Sequence, residues 1–398
     1  SLVGKIIKEP HYTVYSGDKK LVDAPIEKIN EGFVYNRPMQ KKREKFFSDP
    51  LPTNKNYSDV LLKILGHENV ASRAPVYECY DKNVQGRVLV ERGQANAGIV
   101  APFDSEKYPK EIKNDCFSAA LAHNPSIGKI DSFLVAQYAV LEACAKTVSV
   151  GATPIALTDC LCFGNPEKPE QMWQFAQSCI AIREACDLLR FDGLKNLPIV
   201  AGNVSFYNQS AAQPIPASPM IGCFGKTRKG GLVKNDFQQT GSNLFLVGAQ
   251  HSSVGGSVVC DVLKIKNTKL EKLDVKKYSA TLNALLVANK KEVMLSCHYV
   301  GLGGLATSIA KMAFKNSIGC YVNVMSEDLL FSENLAFVVE VDKENSSSFQ
   351  KLLQETGVSC KMIGETRDNK KVVFEKHIDV NLALAKDIWV NSLRERLQ

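Results

Sequence analysis

No two cysteines in this chain form a Cys-x-x-Cys pair, and no second cysteine or histidine pair falls at metal-ligand spacing, although 398 residues include twelve cysteines. That absence argues against the zinc ribbons and redox motifs such pairs build. Most of the cysteines sit inside apolar patterns, which reads as reduced core thiols in a cytoplasmic protein. Cys160-Leu161-Cys162 is the tightest group, and it lacks the partners a soft-metal site needs. Long apolar runs are missing too. Leu244-Phe245-Leu246-Val247 is far too short to cross a bilayer, and the N-terminus carries no signal-peptide pattern, so no membrane partner is expected. There is no low-complexity tract and no strong charge imbalance. A net charge of +7 suits phosphorylated, anionic substrates without specifying them. The basic run Lys41-Lys42-Arg43-Glu44-Lys45 lies in a Pro-rich connector with no aromatic platform beyond Phe46-Phe47. It reads as a solvated linker, and no nucleic-acid partner is expected.

What is present is the composition of an ordinary globular protein, 45% hydrophobic and 23% charged, long enough for two or three domains. Residues 1–50 read as the tail of an upstream domain and a linker. Tyr12-Thr13-Val14-Tyr15 and Leu21-Val22 flank Gly17-Asp18 as a hairpin, too small to bury much alone, so upstream sequence is expected. A domain over 57–227 begins with an amphipathic helix carrying Val60, Leu61, Ile64 and Leu65. It continues through strands at 88–90 and 98–100 and a helix from Asp131 to Val150 that Gly151 stops. A domain over 229–398 holds buried-strand candidates at 243–248 and 336–341. Two glycine-rich turns, Val254-Gly255-Gly256-Ser257 and Gly301-Leu302-Gly303-Gly304, each open a helix. Such starts bind phosphate through free amides, and tight helix packing explains them as well.

The stretch 150–225 carries most of the chemistry. Ile155, Leu157, Asp159 and Leu161 share one face of a strand, and a carboxylate in an apolar row calls for a cation, a metal or a ligand's donors. After Asn165-Pro166 comes a helix with Met172, Phe175, Cys179, Ile182, Cys186 and Leu189 in one stripe, read as core. A second strand then ends in Gly202-Asn203-Val204-Ser205. The helix between them is long enough for a parallel crossover, which would bring the polar ends of both strands together.

Several blocks, in order, resemble the synthetase region of the phosphoribosylformylglycinamidine synthase family. They are Thr158-Asp159-Cys160-Leu161, the run from Phe163 to Glu170, Gly202 to Asn208, and Pro219-Met220-Ile221-Gly222. Weaker echoes are Gly255-Gly256-Ser257, His298 with Gly303-Gly304-Leu305, and Phe331-Ser332-Glu333. The resemblance covers most of the chain and matches the C-terminal half of that region. It implies an α/β and α+β architecture, the aminoimidazole-ribonucleotide-synthetase-like unit, with an N-terminal α/β sheet domain and a C-terminal α+β domain. It also implies an ATP-dependent ligase of purine biosynthesis whose active site is shared between two tandem units. Position by position, Asp159 and Gly202 match residues at the ATP site, Asn203 a magnesium ligand, and Ser205 a contact to formylglycinamide ribonucleotide. ATP and Mg2+ are the implied cofactors. The implied partners are the missing N-terminal half of the synthetase, a glutaminase domain or subunit that supplies ammonia, and the phosphorylated substrate.

The chain also departs from the family pattern. The catalytic histidine and acidic metal ligands belong to the first tandem unit, so no catalytic residue is assigned here. Ala122-His123-Asn124-Pro125-Ser126 resembles that unit's histidine loop, which makes His123 a candidate base. Phe133-Leu134-Val135-Ala136 stands where members carry a glycine pair, and Tyr299 and Leu302 replace acids near His298, which implies a degenerate second nucleotide site. No glutaminase signature is present. Two alternatives stay open: an aminoimidazole ribonucleotide or selenophosphate synthetase, which would need its own acidic metal cluster, and a non-catalytic scaffold.

Overall fold

The computed structural model describes residues 2–30, 34–41, 45–52, 56–81, 83–248, 250–324 and 326–398; the middle of the basic run at 41–45 lies outside them. The hairpin pairs β1 (His11–Ser16) with β2 (Lys19–Pro25) around Gly17, whose φ of 57° suits glycine. A short helix α1 (Ile26–Asn30) follows. The helix α2 (Tyr57–Leu65) is capped by the Asn56 side chain and buries Val60, Leu61, Ile64 and Leu65, as its spacing predicts. Those side chains pack with Leu305, Ile309 and Leu246 of the C-terminal unit. The helix therefore completes the C-terminal core, not that of the 57–227 segment with which the sequence groups it. A nine-residue amphipathic stripe needs an apolar partner, and the connector can carry it to one that is distant in sequence. A single turn, α3 (Ala74–Tyr77), ends this stretch.

The N-terminal sheet has the order β3-β4-β5-β8-β6-β7. Its strands are β3 (Val88–Val90), β4 (Gly98–Val100), β5 (Asp115–Ala122), β6 (Thr153–Cys162), β7 (Ile199–Ser205) and β8 (Ser218–Arg228). All neighbours are antiparallel except β6 and β7. Between them run α4 (Pro125–Gly128), α5 (Ser132–Ser149) and α6 (Pro169–Leu188), and α6 is the crossover that lets β6 and β7 lie parallel. On one face Ala120, Ala122, Leu157, Leu161, Ile221 and Cys223 are buried beneath α5 and α6. The other face is open, with Leu121 74% exposed, and Val100, Met220 and Phe224 also exposed.

The buried face of α6 keeps Ile182, Cys186 and Leu189 of the stripe expected from sequence and adds smaller residues to it. Ser178, Ala181, Ile182, Ala185 and Cys186 are buried, whereas Met172, Phe175 and Cys179 are half-buried at its flank. Small residues win the contact with α5 because they let the helices approach closely, and the Ser178 hydroxyl donates to Ser132 O at 2.7 Å. Phe175 instead covers the strand ends.

The C-terminal unit has a seven-stranded sheet, order β10-β12-β9-β13-β11-β14-β15, antiparallel except for β11 with β14. Along the chain it comprises β9 (Asn243–Val247), α7 (Val258–Leu263), α8 (Val275–Lys290), β10 (Ser296–Tyr299), α9 (Gly304–Phe314), β11 (Gly319–Val322) and α10 (Glu327–Phe331). It continues with β12 (Phe337–Val341), α11 (Ser346–Glu355), β13 (Cys360–Arg367), β14 (Lys371–Phe374), β15 (Ile378–Asn381) and α12 (Leu382–Leu397). Strand alternation divides its side chains between two layers. Phe245, Val247, Phe337 and Val339 meet α5, α8 and α11, while Leu244, Leu246 and Val338 meet α2, α7 and α9. The first layer is one continuous core shared by both units. Among the described residues no helix is long and apolar enough to cross a membrane.

Candidate functional site

The parallel ends of β6 and β7 form the candidate site. Asp159 registers with Gly202, Cys160 with Asn203, and Cys162 with Ser205. Asp159 stands in the row with buried Leu157 and Leu161, on the face covered by α6. Among the described residues it has no ion-pair or hydrogen-bond partner, and partial burial alone pushes its carboxyl above the usual carboxylate range. Gly202 makes room for it: a Cβ there would come within 2.2 Å of Asp159 Oδ1. The glycine is therefore needed for the neighbouring acid as well as for any ligand approach.

Asn203 is one residue further along and emerges on the opposite, open face with Cys160, followed there by Ser205 beside Cys162. The parallel pairing thus brings the polar ends of both strands together, as the crossover helix predicts, but not onto one face of the sheet. It groups Asp159 with Gly202 and Asn203 with Ser205, across a strand that is itself the free edge of the sheet. A one-residue offset in register decides this, because successive side chains alternate faces.

The tip is held by residues whose roles were not read from the sequence. Asn208 Nδ2 donates to Ser205 O at 2.8 Å, Phe163 O at 3.1 Å and Ser205 Oγ at 3.1 Å, so it fixes the serine hydroxyl. Tyr207 adopts a left-handed φ of 61°, its N–H donates to Gly164 O, and its hydroxyl to Glu167 at 3.2 Å. Phe163, Phe175 and Phe206 meet edge to face at 5.4 and 5.0 Å beneath it. The only advance signal was an Asx-type Asn close to the strand end.

His123 follows β5 at the same end of the sheet. Burial holds its imidazole below the usual histidine range, opposed by a backbone hydrogen bond at Pro219, and its Nδ1 is buried without a partner. Between β5 and β7 lie β8 and β6, so three strand spacings, roughly 14 Å, separate its strand from that of Asn203. The two residues do not form one constellation.

The glycine-rich turns are already filled. Glu333 Oε1 accepts from Val258 N at 2.8 Å and Gly303 N at 2.9 Å, and Oε2 from Asn124 Nδ2 at 3.4 Å. The protein's own carboxylate thus occupies the amides at the starts of α7 and α9. Burial pushes that carboxyl up to about 8 in spite of these bonds. Beside His298, where Tyr299 and Leu302 stand in place of the family's acids, the Tyr299 hydroxyl donates to Glu142 at 3.0 Å, and Lys146 Nζ lies 2.9 Å from the same oxygen. Lys146 also sits over the Tyr299 ring and donates to Leu121 O. Among the described residues no group of three or more His, Cys, Asp or Glu side chains could hold a metal. Asn203 can offer one neutral oxygen, and Cys160 and Cys162, with sulfurs 3.8 Å apart, lack further ligands.

Residues 96–226 match the N-terminal domain model of AIR synthase related protein, and residues 239–377 match its C-terminal domain model. The phosphoribosylformylglycinamidine synthase subunit PurL of Methanothrix thermoacetophila is 29% identical over 416 residues, covering 100% of this chain and 53% of its own length. That of Nitratiruptor sp. is 30% identical over 412 residues, again covering 100% and 53%. Among solved structures, T. maritima PurL complexed with FGAR superposes with a TM-score of 0.67 at 14% identity, covering 84% of this chain and 54% of that one. The ADP complex gives 0.61 at 15%, covering 83% and 52%. The chain spans about half the length of the curated relatives it matches.

Proposed function

We propose, from the premise that this chain belongs to the AIR synthase related family, that it is the C-terminal half of a phosphoribosylformylglycinamidine synthase and forms one wall of a shared active site. Full-chain similarity to PurL subunits at half their length supports this. The observation that carries it is the open sheet face: exposed Leu121, Met220 and Phe224 lie on the same face of the sheet as Asn203 and Ser205, so an apolar docking surface extends from β5 across β8 toward the polar tip of β7. The missing N-terminal half of the synthetase would cover that face, and a glutaminase domain or subunit would supply ammonia.

In this reading the substrate's amide oxygen attacks the γ-phosphate of ATP, and ammonia displaces phosphate to give an amidine. Asp159 and Gly202 contact ATP from the helix side of the edge strand. Ser205, oriented by Asn208, donates to formylglycinamide ribonucleotide on the open side. Mg2+ neutralises phosphate charge when bound, and Asn203 would supply one oxygen ligand among phosphate, water and partner oxygens. The single neutral donor fits a shared metal site and does not build one alone. This is also what argues against an aminoimidazole ribonucleotide or selenophosphate synthetase acting by itself. Twelve free cysteines fit a cytoplasmic setting.

The test is complementation. The chain alone should release no phosphate, and adding the N-terminal half should restore release dependent on both ATP and formylglycinamide ribonucleotide. Normal turnover by the lone chain would end the shared-site reading. Failure to bind either ligand with the first half present would favour a scaffold.

A further inference from the structure

Cys160 and Cys162 are two residues apart on β6, so both side chains leave the strand on the open face of the sheet. Their sulfurs are 3.8 Å apart. Both thiols are free and half-buried, whereas Cys144 and Cys223, also in contact, are both buried. Two sulfurs that share one ion at the zinc–thiolate length of about 2.3 Å stand about 4 Å apart, for bond angles between tetrahedral and trigonal. The pair therefore stands at chelating separation without any movement of the strand.

Counted over imidazole, carboxylate and thiolate, the pair has no further ligand among the described residues, so Zn2+ finds only two of the four it takes. Thioether sulfur is a donor of another kind. Met220 on β8 is the antiparallel partner of Cys160, and it emerges on the same face because its neighbour Ile221 points into the core. Its side chain is 37% exposed. Three rotatable bonds let it span the roughly 5 Å between opposed residues and present its Sδ to the thiols. Two thiolates and a thioether select a soft cation such as Cu(I), which has little use for the oxygen of Asn203 on the other side of Cys160. Mg2+ has the reverse preference. We propose that Cys160, Cys162 and Met220 form a binding site for Cu(I) on the open face of the N-terminal sheet. The site uses neither Asn203 nor Ser205 and needs no second half, so it stands or falls apart from the proposed function.

Anaerobic titration of the full chain with Cu(I), in competition with a chromophoric Cu(I) chelator, tests this. One equivalent should bind more tightly than any other, and more tightly at higher pH, because the ion displaces both thiol protons. Cys160→Ser or Cys162→Ser should weaken that equivalent about a hundredfold or more, and Met220→Leu about tenfold. Cys79→Ser, which removes an exposed lone thiol, should leave it unchanged, as should Asn203→Ala. X-ray absorption at the copper edge should show three sulfur neighbours in the parent complex and two in Met220→Leu. Without copper the cysteine and methionine variants should melt with the parent, which separates lost ligands from lost folding. Binding that survives either serine variant, or oxygen or nitrogen in place of the third sulfur, would overturn the inference.

Discussion

The tip of β7 and the glycine-rich starts of α7 and α9 are both polar, and both lie where ligands bind in many α/β folds, yet they differ in one respect. At the helix starts the amides of Val258 and Gly303 have found an acceptor inside the protein, because Glu333 bridges the two elements and Asn124. At the strand tip Asp159 has no partner among the described residues, and Asn203 is exposed. Internal satisfaction marks a structural joint, and polar groups left unpaired at an accessible edge mark a place for a ligand. The contrast also says which substitutions should damage folding and which should damage chemistry.

The widest gap should come from removing the bridge. Glu333→Ala leaves the amides of Val258 and Gly303 without their acceptor and should cost about 3 kcal/mol in urea unfolding, against about 0.5 kcal/mol or less for Asn203→Ala. Equal costs would erase the distinction. A smaller effect should follow from pH. Burial draws His298 from 6.5 down to about 3, so below 6.5 the unfolded chain takes up a proton that the folded chain refuses. Stability therefore falls on acidification through that window, by up to about 1.4 kcal/mol per pH unit from this group. Melting curves of His298→Gln between pH 6.5 and 4.5 should show that much less acid loss, whereas Asn203→Ala should keep the parent's slope. Smallest is the clash at the tip. Gly202→Ala should cost about 1–2 kcal/mol by driving its Cβ into Asp159, and most of that should vanish when Asp159→Ala is made as well. Additive costs in this double-mutant cycle would show that the glycine does not serve the acid.

Much of the strand-tip region was legible because its signals are local. The period-two row around Asp159, the helix that makes β6 and β7 parallel, and the glycine stop at Gly151 all follow from neighbours in sequence. The assignment of Asp159 and Asn203 to opposite faces was not legible. It depends on a register that a bulge between Leu157 and Thr158 sets, and no local pattern reports it. The bridging role of Glu333 was hidden for a different reason: its amide partners lie 30 and 75 residues away, and only the fold brings them together. Lys146 was within reach, since Glu142 precedes it by one helical turn. On α6 the stripe read as core holds at Ile182, Cys186 and Leu189, with Phe175 and Cys179 packed at its flank, and close packing adds Ser178 and Ala181, which a hydrophobicity pattern does not pick out.

The most direct test of the shared-wall claim is the rate of ATP-dependent phosphate release by Asn203→Ala combined with the N-terminal half, measured beside the variant's urea midpoint. The expected result is a loss of about a hundredfold or more with an unchanged midpoint. A rate within about twofold of the parent at equal stability would contradict a role for the strand tip in the reaction.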